Sequence, residues 1–269
     1  MKKLLAILFL LTAMLLNNIV FADDTELVGL DENAIPDISQ SETTQEDWHF
    51  IAGTGPVYLP HYEGASAYWL RPVPLFRASK GNFFAGTLGG IGYHFINEKT
   101  LKFGMRIGAA PGRNESVDAR LTGMGDLKPA GELGLFVKAK FDNTYFIGNV
   151  MAGSRGRRAE LGGGYDFALK DFSDYLRVGV NANWASADYM QAYFGVSSEQ
   201  SITSGLSAYD AAAGIKSYAL LSSWTHIFDR HWLGNLALVN KQLADSALNS
   251  PLVQTKSAYS VSYVVLYLF

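Results

Sequence analysis

Residues 259–269 read YSVSYVVLYLF, ending on Phe269. Tyr259, Val261, Tyr263, Val265, Tyr267 and Phe269 fall at every second position. Successive side chains of a strand leave opposite sides of the backbone, so this period puts all six on one face. Ser260 and Ser262 point the other way, followed by Val264, Leu266 and Leu268. A soluble terminal strand normally frays or ends in polar residues. This one becomes more apolar toward its end, so the deciding matter is the solvent it faces.

The start of the chain narrows the answer. Residues 1–22, MKKLLAILFLLTAMLLNNIVFA, join two lysines, an apolar run and a small residue at Ala22. That is the pattern of a secretory signal peptide, and Asn17 and Asn18 interrupt a run already short for a membrane helix. The absence of cysteine excludes a disulfide framework, thiolate metal sites and a cysteine-linked lipid anchor. Removal of Lys2 and Lys3 would take the formal charge from −3 to −5. Residues 23–47 hold nine acidic residues and no Lys or Arg, the composition of a disordered exported leader. From Trp48 onward 20 Lys and Arg face 16 Asp and Glu, and residues 48–269 read as one domain.

Short segments within that domain alternate like the last one. Leu101, Phe103, Met105, Ile107 and Ala109 oppose Lys102, Gly104, Arg106 and Gly108. Leu133, Leu135, Val137, Ala139 and Phe141 oppose Glu132, Lys138 and Lys140. Leu161, Gly163, Tyr165, Phe167 and Leu169 oppose Glu160 and Asp166, and Leu176, Val178, Val180, Ala182 and Trp184 oppose Arg177, Asn181 and Asn183. A soluble sandwich gives the same alternation. Three features favour a membrane barrel. Aromatics gather at segment ends, among them Trp48, Phe83, Tyr145, Trp184, Trp224 and Trp232, as interfacial girdles require. Tight turns at 80–82, 141–144 and 228–231 alternate with long loops near 110–130, 187–209 and 243–257. The chain also combines an export signal with an apolar terminal strand.

The expected fold is therefore all-β, an antiparallel transmembrane β-barrel, closed because lipid leaves no backbone group unpaired. An even strand count with both termini periplasmic requires two short strands around Leu88-Gly-Gly90 and gives twelve. Ten is the alternative, if a weak segment does not cross. The terminal strand faces lipid, and Tyr263, Val265, Tyr267 and Phe269 resemble the signal read by the outer-membrane assembly machinery.

Several stretches then become recognisable: Pro60-His-Tyr62-Glu63-Gly64, Arg71-Pro72-Val-Pro74, Leu121-Thr-Gly123-Met124-Gly125-Asp126, Tyr193-Phe194-Gly195-Val196-Ser197, and Asp245 with Ser250-Pro251-Leu-Val253. In this order, with the terminal strand, the chain resembles the MipA/OmpV family of outer-membrane proteins over about Trp48 to Phe269. The resemblance implies a scaffold that joins a lytic transglycosylase to a penicillin-binding protein. Other members are described as antigens, adhesins or permeability factors, so a small channel for solutes or antimicrobials is the alternative.

Read from the residues alone, these motifs are mostly structural. Pro72 and Pro74 each remove a ladder donor, which predicts a strand end or a bulge near the rim. Gly123-Met124-Gly125-Asp126 is a turn-rich loop, without the strand and helix that a phosphate cradle needs. Tyr193-Phe194-Gly195-Val196 is expected to pack as a loop over the mouth. The five histidines show no metal spacing, and no Ser, His and acid fall on neighbouring strands, so neither enzyme activity, nor a cofactor or metal, nor a nucleic-acid partner is expected. The lumen charges, Lys102, Arg106, Lys138, Lys140, Arg158 and Arg177 against Glu132, Glu160 and Asp166, read as a compensated network, or else as the lining of a weakly anion-selective pore. Arg155-Gly-Arg157-Arg158, in an apparent external loop, offers arginine forks to lipopolysaccharide phosphates. The expected location is the outer membrane, with lipid around the barrel and the acidic leader in the periplasm.

Overall fold

The computed structural model describes residues 47–169 and 173–269. The expected signal peptide, and the leader as far as Glu46, lie outside them. Twelve antiparallel strands follow one another around a closed barrel, and β12 pairs back onto β1. They are β1 His49–Pro60, β2 Tyr68–Lys80, β3 Phe83–Gly86, β4 Gly90–Asn97, β5 Leu101–Ala110 and β6 Ala130–Phe141. The remaining six are β7 Thr144–Gly153, β8 Gly156–Ala168, β9 Asp174–Ala185, β10 Gly214–Ile227, β11 Trp232–Leu243 and β12 Ser257–Leu268. The run 83–97 does supply two short strands, so the count is twelve and not ten.

One end carries the tight turns and both strand termini. The other carries the long connections 61–67, 111–129, 186–213 and 244–256. The faces decide between barrel and sandwich. On β9, Val180 is 61% exposed while its neighbour Asn181 is 4% exposed. Apolar side chains outside and polar ones inside invert the pattern of a soluble sheet and suit a lipid solvent. Leu135, Leu161 and Leu238 continue the outer apolar band on other strands. Ring contacts edge it: Tyr58, Tyr68 and Tyr259 at the long-loop end, and Phe83 with Tyr93, and Trp232 with Tyr267 and Phe269, edge to face at the turn end. Tyr145 does not join the girdle. It is buried in the lumen, where its ring lies 4.4 Å from the Arg177 guanidinium and its hydroxyl rests on Gly179.

The long loops hold helices that the sequence reading left as coil: α1 Ala187–Phe194, α2 Ser198–Ser204 and α3 Asp245–Leu248. Both main ones had a local signal. Tyr189, Met190, Tyr193 and Phe194 stand at the spacing of one helical face. Ser197 and Gln200 form a reciprocal capping box at the start of α2.

The wall is uneven. β3 has 4 residues and β4 has 8, whereas β2 has 13 and β10 has 14. Register places the β3–β4 turn at the level of Arg77, since Arg77 pairs with Gly86 and Gly86 with Gly90. β2 rises past that level without a partner on this side. Its two prolines sit there, in mid-strand opposite Pro56 and Thr54 of β1, and not at a strand end or bulge. The reason lies in which groups face which side. The Phe76 N–H donates to Thr87 Oγ1 at 3.1 Å and its carbonyl accepts from the Thr87 N–H at 3.0 Å, so Phe76 points its backbone toward β3. By alternation Pro74 and Pro72 point their nitrogens the same way, into the unpaired edge, where the missing N–H leaves no orphan donor.

Candidate functional site

The four long loops fold together over one mouth of the barrel, and the motif residues are what bind them. Tyr62, Leu121, Met124, Val196 and Leu252, one or two from each loop, form a single buried cluster. The Tyr62 hydroxyl donates to the Leu252 carbonyl at 2.8 Å. Burial, with the nearby Asp118 carboxylate adding to it, pushes this phenol above its ordinary 10.0, which keeps it a donor. The Gly64 carbonyl accepts from the N–H groups of Gln254 and Thr255 at 2.7 and 3.0 Å. Its φ of +98° and the Val253 methyl 2.8 Å from where a Cβ would stand leave no room for a side chain.

The Gly123–Asp126 loop is clasped in the same way. Glu115 Oε2 accepts from the N–H groups of Gly123 and Gly125 at 3.0 and 2.9 Å, and Asp126 accepts from the Glu115 N–H at 2.8 Å. The carbonyls of Gly123 and Met124 accept from Thr203 and Gln200 of α2 at 2.6 and 2.7 Å. These glycine N–H groups serve a protein carboxylate and cradle no phosphate. Ser250 Oγ donates to the Phe194 carbonyl, and the Pro251 carbonyl accepts from the Arg120 guanidinium. The Gly195 N–H ends α1 on the Gln191 carbonyl, and Val196 pairs with Tyr209 as an isolated bridge.

α1 lies across the opening. Tyr189, Met190 and Phe194 pack with Ala110 at the end of β5, Ala185 of β9 and Leu243 of β11. β5 and β11 are on opposite sides of the ring of strands, so the cluster of α1 with Ala247 of α3 reaches from wall to wall. Tyr193 fixes it: its hydroxyl donates to the Pro111 carbonyl at 2.6 Å, and its own carbonyl accepts from Arg113 at 2.9 Å. Burial lowers the Arg113 guanidinium below its ordinary value. The expected packing over the mouth is what the structure contains, and it is shared by four of the five motif stretches, all but Arg71–Pro74, which the sequence did not foretell.

Below this cap the lumen holds paired charges. Glu63 lies between Lys216 and Lys241 at 2.9 and 3.3 Å, with both lysines buried. Glu132 takes Arg158 through two nitrogens at 2.8 and 3.0 Å. Asp166 takes Arg177 at 2.6 Å and Lys140 at 3.0 Å. The compensated network is therefore present, and Glu63 with its two lysines extends it beyond the residues named from sequence. Arg158 is part of it. With 8% exposure and a carboxylate partner inside the barrel, it is not a lipopolysaccharide contact. Gly153 pairs with Gly156, so the supposed loop is a tight turn running straight into β8. Arg155 donates to the Lys128 carbonyl, and Arg157 is exposed at the rim.

The assembly signal sits at the turn end. Tyr263, Val265 and Tyr267 face outward on β12, opposite buried Ser262, Val264 and Leu266. The Phe269 N–H donates to the Phe50 carbonyl at 3.0 Å, and its ring packs on Tyr267.

Among solved structures the chain resembles the NanC porin, at 9% identity and a TM-score of 0.43, over 80% of this chain and 98% of that one. It also resembles an outer-membrane channel from Pseudomonas putida F1, at 10% identity and a TM-score of 0.43, over 87% and 100% of the two chains. A relative named MltA-interacting protein, from Escherichia coli strain K12, is 25% identical over 81% of this chain and 88% of its own length. A relative of the same name from Shigella flexneri matches to the same extent. The family model for MltA-interacting protein MipA matches residues 52–269, which take in every strand from β2 onward and all four loops of the cap, and the chain belongs to that family.

Proposed function

We propose that this chain is a non-catalytic scaffold of the outer membrane. Its turn end and acidic leader face the periplasm, where it holds a lytic transglycosylase and, with it, a penicillin-binding protein. One observation carries this reading: the motif residues of four loops are consumed in closing the barrel mouth, which leaves the other end as the face for partners. The names of its relatives agree with it. The leader's nine acidic residues supply long-range attraction for a basic partner surface, which raises encounter rate and is screened by salt.

The test is retention of the folded, detergent-solubilised protein on an immobilised lytic transglycosylase. Retention is expected, and deletion of residues 24–47 should weaken it more at low ionic strength than at high. No retention of a correctly folded barrel would reject the scaffold and favour the channel alternative.

A further inference from the structure

The low wall at β3 and β4 leaves a gap in the side of the barrel. Residues 68–75 of β2 stand above the β3–β4 turn. They amount to about 26 Å of strand, or roughly 20 Å along the axis at the usual tilt. On the far side β5 continues past Ile107 only through Gly108–Ala110. Three strand spacings separate β2 from β5, so the gap is about 14 Å wide. A bilayer core is about 30 Å thick, so an opening of this depth spans the leaflet on the long-loop side.

The surface behind the gap differs from the rest of the lumen. Leu88 of the β3–β4 turn, Val73 and Trp69 pack against the buried cluster of Val57, Leu59, Leu75, Leu233, Val264 and Leu266. An apolar lining suits a hydrocarbon chain better than water. Two cations flank it. Arg71 of β2 lies 3.0 Å from the Trp69 ring centroid and has no acidic partner among the described residues. Arg106 of β5 has a buried Nε without a hydrogen-bond partner, and its Nη1 reaches to 3.9 Å from the Cβ position of Gly89 in the turn. Elsewhere in the lumen Arg158, Arg177, Lys140, Lys216 and Lys241 all have carboxylates. An added strand from another chain fits poorly, because Pro72 and Pro74 take two donors from the long free edge of β2.

We propose that this gap is a lateral window that admits an anionic amphiphile from the surrounding leaflet. Its phosphate or carboxylate is drawn by Arg71 and Arg106, and its chain lies over Val73, Leu75 and Leu88. Lipid contact also explains why the edge of β2 carries prolines, since orphan N–H groups facing hydrocarbon are costly. The inference does not depend on the scaffold reading.

The experiment uses the full chain with Trp69 as its only tryptophan, Trp48, Trp184, Trp224 and Trp232 being replaced by Phe. The protein is reconstituted in phosphatidylcholine vesicles that contain either phosphatidylglycerol or phosphatidylcholine with brominated chains. Trp69 fluorescence should be quenched more strongly by the brominated anionic lipid at equal mole fraction. Arg71→Gln and Arg106→Gln should each weaken that preference about tenfold, the loss of one charge-assisted contact. A second protein that keeps only Trp184, which faces lipid on the far wall, should show no preference. Titration with dodecyl phosphate in neutral detergent separates the sources: saturable binding means that a free amphiphile is taken, and none means that the ligand is a bilayer lipid. Equal quenching of Trp69 by the two lipids would overturn the proposal. So would a preference that survives both arginine substitutions. The comparison of lipids in the Trp69-only protein with both arginines intact stands even if an arginine variant fails to fold.

Discussion

β9 and β10 form the tallest stretch of the wall, and β3 and β4 the lowest. On the tall side every strand is paired along its length, outer positions are apolar, and inner cations have carboxylates at hand. On the low side β2 has a bare edge, two of its donors are replaced by prolines, and Arg71 and Arg106 have no acidic partner among the described residues. The same barrel thus satisfies its backbone in two ways, by pairing on one side and by deletion of the donor on the other. The first builds a rigid support for the cap, and the second removes two of the donors that an open edge would otherwise leave unpaired.

The largest difference should appear in the lumen cations. Arg158→Ala leaves Glu132 buried and unpaired, and should cost about 3–5 kcal/mol of folding free energy in lipid. Arg106→Ala should cost less than about 1 kcal/mol, because the removed charge has no ion-pair partner. Denaturant unfolding in bilayers or detergent measures both, and equal losses would erase the distinction between the two walls. A smaller contrast concerns the outer face. Val180→Arg, near mid-depth of the tall wall, should cost about 2–4 kcal/mol, and Leu70→Arg, near the rim beside the gap, about 0–1 kcal/mol. Smallest is Pro74→Ala, which restores an N–H on the bare edge. If no partner reaches it, the loss should be about 1 kcal/mol. A gain in stability, or a dimer on native gels, would show that the edge finds a partner and would weaken the case for the window.

How far the sequence carried the account depends on range. Alternation is a local signal, and it placed the outward faces of β5, β6, β8, β9 and β12 correctly from residues alone. The twelve-strand count came from parity, which only two short strands in 83–97 could satisfy. The cap was not legible, because its contacts join residues far apart in the chain. Tyr62 to Leu252 is one such pair, and Glu63 to Lys216 another. Neither has a local signature. Arg158 carries two readings, as a lumen charge and as a loop arginine for lipopolysaccharide: two residues after a tight turn, its side is set by register, and Gly153 pairing with Gly156 turns it inward toward Glu132, so the lumen reading stands. Pro72 and Pro74 were read as ending a strand because a central strand forbids proline. That rule assumes neighbours on both edges, and β2 lacks one above Arg77.

The closed mouth is the claim on which the scaffold reading rests, and conductance of the purified wild-type barrel in planar bilayers tests it most directly. The packing of α1 and α3 between β5 and β11 predicts no steady conductance from the wild type. Replacement of residues 186–212 by a short Gly-Ser turn should then open one. Steady, ohmic conductance through the unmodified protein would contradict the account.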